Sequence, residues 1–448
     1  MKKLTASLFV LVLILVLAGC TLKQPQETTL PSRTTAAPTE AGCNHTYAAA
    51  TCTAPKTCTS CGATEGEAKG HTPVTDPAVA ASCITTGKTE GSHCSTCNAV
   101  LSEQAFLPAN GHTFVDGKCS ICDSLEPSEG LVLTLDESGE YYIVTAPGAC
   151  EDMDIIIPNV YNGLPVRAIG ANCFEGRTWF NSVTIQKGVT QIGEAAFREC
   201  SGMTSVVIPE GVTAIRESTF ERCYKLSSVE LPDSMLRIGK SAFEYCHRLT
   251  SIDLKRVRNI GERAFHACGF TSLDLPDSLY IIGADAFSSC NKLTALVIPG
   301  SITSIGKGAI SFCWELTSVV ISEGVSSISP AMFAYCQKLT SIEIPSSVTS
   351  AGSFVFQACD SLTSVVIAEG VTSIGDGFFD GCDSLTYIAI PASMTALGKG
   401  AFSYCTGLTR INFAGTMAQW QDIEPYNKSW KDNSNVTEVI CTDGSIQY

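Results

Sequence analysis

From residue 182 onward the chain copies itself with a period of 23 residues, with one short unit near Cys268 and irregular spacing before Cys200, and this period constrains its fold more than any other feature. Residues 316–338 read LTSVVISEGVSSISPAMFAYCQK, 339–361 LTSIEIPSSVTSAGSFVFQACDS, and 362–384 LTSVVIAEGVTSIGDGFFDGCDS. One unit explains the rest. Leu226, Val229 and Leu231 put apolar side chains at i, i+3 and i+5, with Glu230 alternating outward, so the stretch is a strand with one buried face. Pro232 ends the strand because it cannot donate to a ladder. Ile238-Gly239 turns the chain, Ala242 and Phe243 pack a short helical or irregular return, and Cys246 closes the unit. No such unit buries enough surface to fold alone, so neighbours must stack around one continuous core.

The expected fold is therefore an α/β-type repeat solenoid, with leucine-rich repeats of about 23 residues and one parallel strand per unit. Phe recurs at 197, 220, 243, 265, 287, 333, 356, 379 and 402, with Ile310 in the same place once. A file that tolerates Ile is a stacked core ladder rather than an aromatic binding stripe. Eleven Cys from Cys173 to Cys405 recur at a fixed point of the unit. Parallel side chains on neighbouring turns point alike, which disfavours bridging, and the expectation is a file of buried thiols.

Only 16% of the 448 residues are charged, too few for a disordered chain, and the net charge is −15. The acidic balance argues against nucleic acid as a partner.

Lys2 and Lys3 precede an apolar run from Leu8 to Leu17 that is short for a membrane span and ends in Leu17-Ala18-Gly19-Cys20. This tetrapeptide looks like a bacterial lipobox. It predicts a signal peptide over 1–20, lipid on Cys20, and a mature protein tethered to the membrane outside the cytoplasm. Residues 21–42, rich in Thr, Pro and Ala, read as an extended linker.

A separate population of nine Cys lies between Cys43 and Cys122, with pairs at Cys58-x-x-Cys61, Cys94-x-x-Cys97 and Cys119-x-x-Cys122. Four of the six His share the stretch. Nine Cys and three His divide into three Cys₃His sets: Cys52, Cys58, Cys61 and His71; Cys83, Cys94, Cys97 and His112; Cys43, His45, Cys119 and Cys122. His93 is spare. Cys₃His is a closed tetrahedral zinc composition, structural rather than catalytic because no position is left open. A second register puts each His before its cysteines: His45 with Cys52, Cys58 and Cys61, and His71 with Cys83, Cys94 and Cys97. It strands Cys43 and leaves His112, Cys119 and Cys122 one ligand short, so the first register is preferred. Disulfides are the rival in an exported protein. An odd count and the recurring Gly-His-Thr at 70–72 and 111–113 favour zinc.

Units of the LTSVVIPEGVTSIG type ending in Ala-Phe-x-x-Cys resemble the BspA-like leucine-rich-repeat surface proteins of bacteria, over about residues 140–448. Tyr161-Asn162-Gly163-Leu164-Pro165-Val166 is similar to that family's N-terminal lead-in. Phe413 to Trp420, with Cys441-Thr442-Asp443-Gly444, is similar to its C-terminal cap. The Asn ladder of ordinary leucine-rich repeats is missing. The Cys/His stretch is also similar to modules placed beside such arrays. The chain then divides into a signal peptide 1–20, linker 21–42, Cys/His-rich module 43–125, lead-in 130–181, repeats 182–407 and cap 408–448. The resemblance implies a protein or cell-surface ligand as partner and adhesion or protein binding as function. A structural spacer or subunit of a surface assembly is the alternative.

No enzyme is expected. The repeats hold only His247 and His266, and no nucleophile elbow, Walker loop or His-Glu-x-x-His occurs. The exposed strand position varies from unit to unit, as Val207, Glu230, Asp253, Asp274, Val297, Val320, Glu343 and Val366. Glu230, Asp253 and Asp274 would line up as an acidic strip with apolar flanks, the candidate docking site for a basic partner or a cation.

Overall fold

Among the described residues each repeat unit makes one turn of a parallel β-solenoid, about 12 turns of about 23 residues, with almost no helix. The computed structural model describes residues 44–122, 124–423 and 429–448; Cys20 and Cys43 lie outside them. The chain forms two compact units, Met1–Thr72 with Cys94–Asn98, and Pro73–His93 with Ala99–Tyr448.

In the second unit one ladder runs along the array through the strands that the Leu-Thr-Ser-Val pattern predicts. Asp154–Ile157 pairs with Ser182–Ile185, then Ser205–Val207, then Ser228–Glu230, all parallel and in register. The ladder resumes at Ala295–Ile298 and continues through Ser318–Ile321. It runs on from Ser341–Ile344 through Ser364–Ile367, Tyr387–Ile390 and Arg410–Phe413. A second ladder of two-residue strands, such as Arg237–Ile238 and Asn259–Ile260, runs beside it. The return segment is irregular, not helical. Its amides bond across turns, as Phe220 N–H to Ala242 O at 2.8 Å and Phe243 N–H to Ala264 O at 2.8 Å. Those cross-turn bonds hold residues on both sides of each Phe at positive φ, for example Ser241 (50°) and Tyr245 (62°) around Phe243.

The repeated Gly of Ile-Gly does more than turn the chain. A Cβ on Gly283 would lie 2.4 Å from the backbone N of Glu262, and one on Gly398 would lie 2.2 Å from the carbonyl carbon of Gly375. Glycine lets consecutive turns close to strand spacing, although Arg216 and Ser329 hold the same place in two turns.

The core is the expected aromatic file. Phe174, Phe197, Phe220, Phe243, Phe265 and Phe287 stack face to face with centroids 5.1–5.5 Å apart. Ile310 interrupts the file, which resumes at Phe333 and runs to Phe402. Beyond Phe402 the cap imitates another turn: Phe402 N–H bonds Trp430 O at 2.8 Å. Glu438–Cys441 adds one last parallel strand, and Gly444–Gln447 turns back antiparallel over it. At the other end a hairpin of Val132–Leu135 and Tyr142–Ala146 covers Leu164–Ile169.

The cysteine file is unbridged. From Cys200 to Cys405 each thiol donates to a carbonyl of the preceding turn, as Cys223 to Phe197 O at 3.1 Å and Cys336 to Ile310 O at 3.3 Å. Burial pushes Cys200, Cys313, Cys359 and Cys405 up to about 12. A thiol needs its thiolate to react. In the folded protein at pH 8 the array cysteines are therefore expected to resist iodoacetamide, and mass mapping should find them unlabelled until denaturant is added. Labelling of Cys313 in the native state would contradict the buried file.

Candidate metal centres and the exposed strand face

The Cys/His stretch has almost no apolar core. Among described residues 44–122 the buried apolar side chains are Cys52, Cys58, Cys83, Cys94, Cys119 and Ala109, and five of these six are candidate ligands. Val79, Val100, Phe106, Val115 and Ile121 are exposed. Something other than hydrophobic burial must hold this region together.

Three clusters of ligand atoms occur, each within 4.8 Å: Cys52, His71, Cys94 and Cys97; Cys83, His112, Cys119 and Cys122; and His45, Cys58 and Cys61. Eleven of the twelve positions expected from the sequence fall in these clusters, and Cys43 lies outside the described residues. Their partition differs from the preferred one. Each Cys-x-x-Cys pair takes the His that precedes it, and Cys52 and Cys83 each skip the pair that follows them and serve the one after it. The second register had the His order right but gave Cys52 to Cys58-x-x-Cys61 and Cys83 to Cys94-x-x-Cys97.

Backbone hydrogen bonds explain the partition. Lys69 N–H bonds Thr51 O at 2.9 Å and so sets His71 beside Cys52. Gly111 N–H bonds Cys83 O at 3.2 Å and sets His112 beside Cys83. In all three clusters the Thr after the His accepts from the residue after the first knuckle Cys: Thr59 N–H to Thr46 O, Ser95 N–H to Thr72 O, and Ser120 N–H to Thr113 O. The threefold His-Thr is the signal that could have given the grouping, but Asn44-His-Thr lacks the Gly of the other two.

The geometry repeats as well. Nδ1 of His45, His71 and His112 faces the second knuckle sulfur, of Cys61, Cys97 and Cys122, at 3.3, 3.4 and 3.3 Å. Cys52 and Cys94 sulfurs are 3.6 Å apart. A disulfide needs ~2.0 Å. A zinc tetrahedron with Zn–S of ~2.3 Å has S–S edges of about 3.8 Å. Zinc fits these donors, and among the described residues the thiols are unbridged.

The sulfurs are primed unequally. The His45 ring and the knuckle amides hold Cys58 down at about 6. The Thr96 amide and His71 hold Cys94 down at about 5, and the Ile121 amide and His112 hold Cys119 at about 6. Burial and the neighbouring sulfurs push Cys52 and Cys83 up to about 11. A cation held by these two clusters would displace the protons that burial keeps on Cys52 and Cys83, so loading is expected to release at least two protons. Calorimetry in buffers of different ionisation enthalpy reads that number, and uptake without proton release would exclude Cys52 and Cys83 as ligands.

Glu230, Asp253 and Asp274 are exposed on the long-strand face, as expected. Two features alter the strip. Lys255 Nζ lies 2.6 Å from Asp253 Oδ2 and holds that carboxyl below its usual range, so the middle charge is already paired. The long ladder is also unformed at residues 251–254 and 272–275. The three acids therefore do not stand in strand register, and a recess of about 660 Å³ lined by Ser228, Asp253, Lys255 and Asp274 opens there. Val297 and Val320 beyond it are 55% and 53% exposed. His247 is satisfied: its Nδ1–H donates to Ala267 O at 2.9 Å and its ring stacks on Tyr224. His266 meets the Tyr245 ring edge-on, and burial lowers its pKa. Among the described residues no helix is long and apolar enough to cross a membrane.

Residues 167–291, 258–383 and 326–440 match the BspA type Leucine rich repeat region, six copies. Solved structures similar to the chain include a leucine rich cell surface protein from Faecalibacterium prausnitzii A2-165. That protein is 23% identical, with 66% of this chain and 97% of that one covered and a TM-score of 0.33. A leucine-rich repeat protein from Bacteroides ovatus ATCC 8483 is 24% identical over 68% and 98%, with a TM-score of 0.36. The pneumococcal vaccine antigen PcpA is 18% identical over 70% and 87%, with a TM-score of 0.44. No curated protein matches the chain. With the matched segments spanning 167–440, the chain belongs to the family of BspA type leucine-rich-repeat proteins.

Proposed function

We propose that the protein is a non-catalytic binding scaffold of a bacterial cell surface, anchored by lipid on Cys20, carrying three structural zinc ions and using its long-strand face for adhesion. The observation that carries this reading is the contrast between a constant core and a variable exposed position. The file of Phe and Cys hardly changes from turn to turn. The outward residue changes from Val207 to Glu230, Asp253, Asp274 and Val297. A spacer has no use for that variation, whereas a binding surface does. Cys43, two residues before His45 in the sequence, is the one cysteine of the stretch left as a fourth ligand for His45, Cys58 and Cys61.

The docking strip is Glu230, Asp253 and Asp274 with apolar contacts at Val207 and Val297, and it suits a basic protein segment. Its test is binding of the soluble part from residue 23 on to host extracts and neighbouring cells in low salt. Glu230→Gln, Asp253→Asn and Asp274→Asn together should weaken binding several-fold and leave thermal stability within about 0.5 kcal/mol, as surface changes do. Equal binding by the triple variant would remove the strip. No binding by the parent to any cell or extract would favour the spacer. The anchor has its own test: Cys20→Ala should release the protein from membranes or leave it unprocessed, and a mature parent protein that starts elsewhere and fractionates as soluble would exclude lipidation.

A further inference from the structure

The three Cys/His clusters are alike in their ligands and unlike in their surroundings. His45 and His71 are exposed. His112 is not: its Nε2 lies 2.8 Å from Oδ1 of Asn159, a side chain only 2% exposed. Asn159 Nδ2–H donates to Ser124 Oγ at 3.1 Å, and Ser124 Oγ lies 3.2 Å from the sulfur of Cys122. Cys122 in turn faces His112 Nδ1. The four residues form a closed ring in which one buried amide supports two of the four ligands. Among the described residues neither of the other clusters has such support.

Asn159 belongs to the array. It follows the first strand of the long ladder, Asp154–Ile157, and its carbonyl accepts from Val166 N–H at 2.9 Å. The segment after Ser124 stays on the same edge. Leu125 O accepts from Gln186 Nε2 at 2.8 Å, and Ile156 N–H bonds Ser128 Oγ at 2.9 Å.

The protons in the ring have one consistent arrangement when a metal sits on His112 Nδ1. The ring proton is then on Nε2 and points at Asn159 Oδ1. The amide must present Nδ2–H to Ser124, and the Ser124 hydroxyl is free to donate to the Cys122 thiolate. Without a metal the His112 proton can sit on Nδ1 instead, which sets two acceptors, Nε2 and Oδ1, against each other. The partner that orients a ligating His commonly contributes about 10- to 100-fold in metal affinity.

We propose that the metal site of Cys83, His112, Cys119 and Cys122 is the N-terminal clasp of the repeat array: through Asn159 and Ser124, filling this site and ordering the array's first turn are one coupled event. The inference rests on the zinc reading above and adds to it that the third ion serves the solenoid as well as its own module. It also gives Asn159, distant in sequence from every Cys-x-x-Cys pair, the role of a positioning residue.

The test uses the full chain loaded with zinc, a chromophoric chelator in competition, and hydrogen exchange read segment by segment. Withdrawing zinc from the parent should lower protection of Asp154–Ile157 and Leu164–Ile169 while Tyr387–Ile390 keeps its own. Cys94→Ser, which breaks the site of Cys52, His71, Cys94 and Cys97, should lose one ion and leave Asp154–Ile157 protected. Asn159→Ala should weaken one of three ions by about 10- to 100-fold, and Asn159→Asp, whose carboxylate also accepts from Nε2–H, should restore most of that loss. A merely structural Asn159 would lower protection equally with and without zinc, in both variants, at unchanged zinc affinity, and that result overturns the clasp. So does unchanged protection of the first turn when zinc leaves the parent. A parent that binds no zinc overturns the zinc reading itself, and its stoichiometry shows this before any variant is made.

Discussion

On the zinc reading, chelation should unfold the Cys/His module, because among described residues 44–122 the buried apolar side chains besides Ala109 are all candidate ligands. Structural zinc contributes roughly 10–16 kcal/mol of apparent binding energy at neutral pH, and in a region without a core that energy is folding energy. On chelation, amides of Lys56–Cys58 and the other short strands of residues 44–122 should exchange at the rate of an open chain. The turns from Ser205–Val207 to the cap should keep their protection, since a solenoid is stabilised neighbour by neighbour. Only the first turn, tied through Asn159, should respond with the module. Elemental analysis of the purified protein should give about three zinc ions per chain. Fewer than half an ion, with disulfides mapped by mass, would replace zinc by disulfides.

The second large effect is expected in the aromatic file. Phe265 is fully buried, with Phe243 stacked at 5.4 Å on one side, Phe287 at 5.5 Å on the other, and the edge of Phe270 at 5.5 Å. Phe265→Ala opens a cavity that two neighbouring turns share and cannot fill, at a cost of about 3–5 kcal/mol. Phe265→Ile should cost far less, because Ile310 already stands in the file at 0% exposure. Denaturant unfolding measures both. In a linear array the Ala variant should also split the transition, with the turns on either side of Phe265 unfolding separately. A single transition with an unchanged midpoint would mean that the file carries little of the stability.

Much of this was legible in the residues. The alternation in Leu226, Val229 and Leu231 around Glu230 fixes a strand with one wet face, because side chains alternate along a strand whatever surrounds it. The 23-residue period makes every turn meet a copy of itself, so like residues stack and the Phe and Cys files follow. The population of candidate ligands, nine Cys and three His, needed only counting. What the sequence left open depends on which backbone amides meet. The Lys69 to Thr51 and Gly111 to Cys83 bonds send Cys52 and Cys83 past the knuckle that follows them to the one after it, against the preferred grouping by nearness in the chain. Phe312, Tyr335 and Phe354 sit at φ near 60° with no glycine to announce it, because cross-turn hydrogen bonds over-determine the return segment. The Lys255–Asp253 pair and the unformed ladder at 251–254 likewise appear only once the turns are stacked. Asn159 shares no motif with the cluster it supports. Pattern along the chain decided what each turn is, since burial and alternation are local and periodic. Tertiary structure decided which groups face one another between turns, since hydrogen-bond partners distant in sequence are chosen by packing.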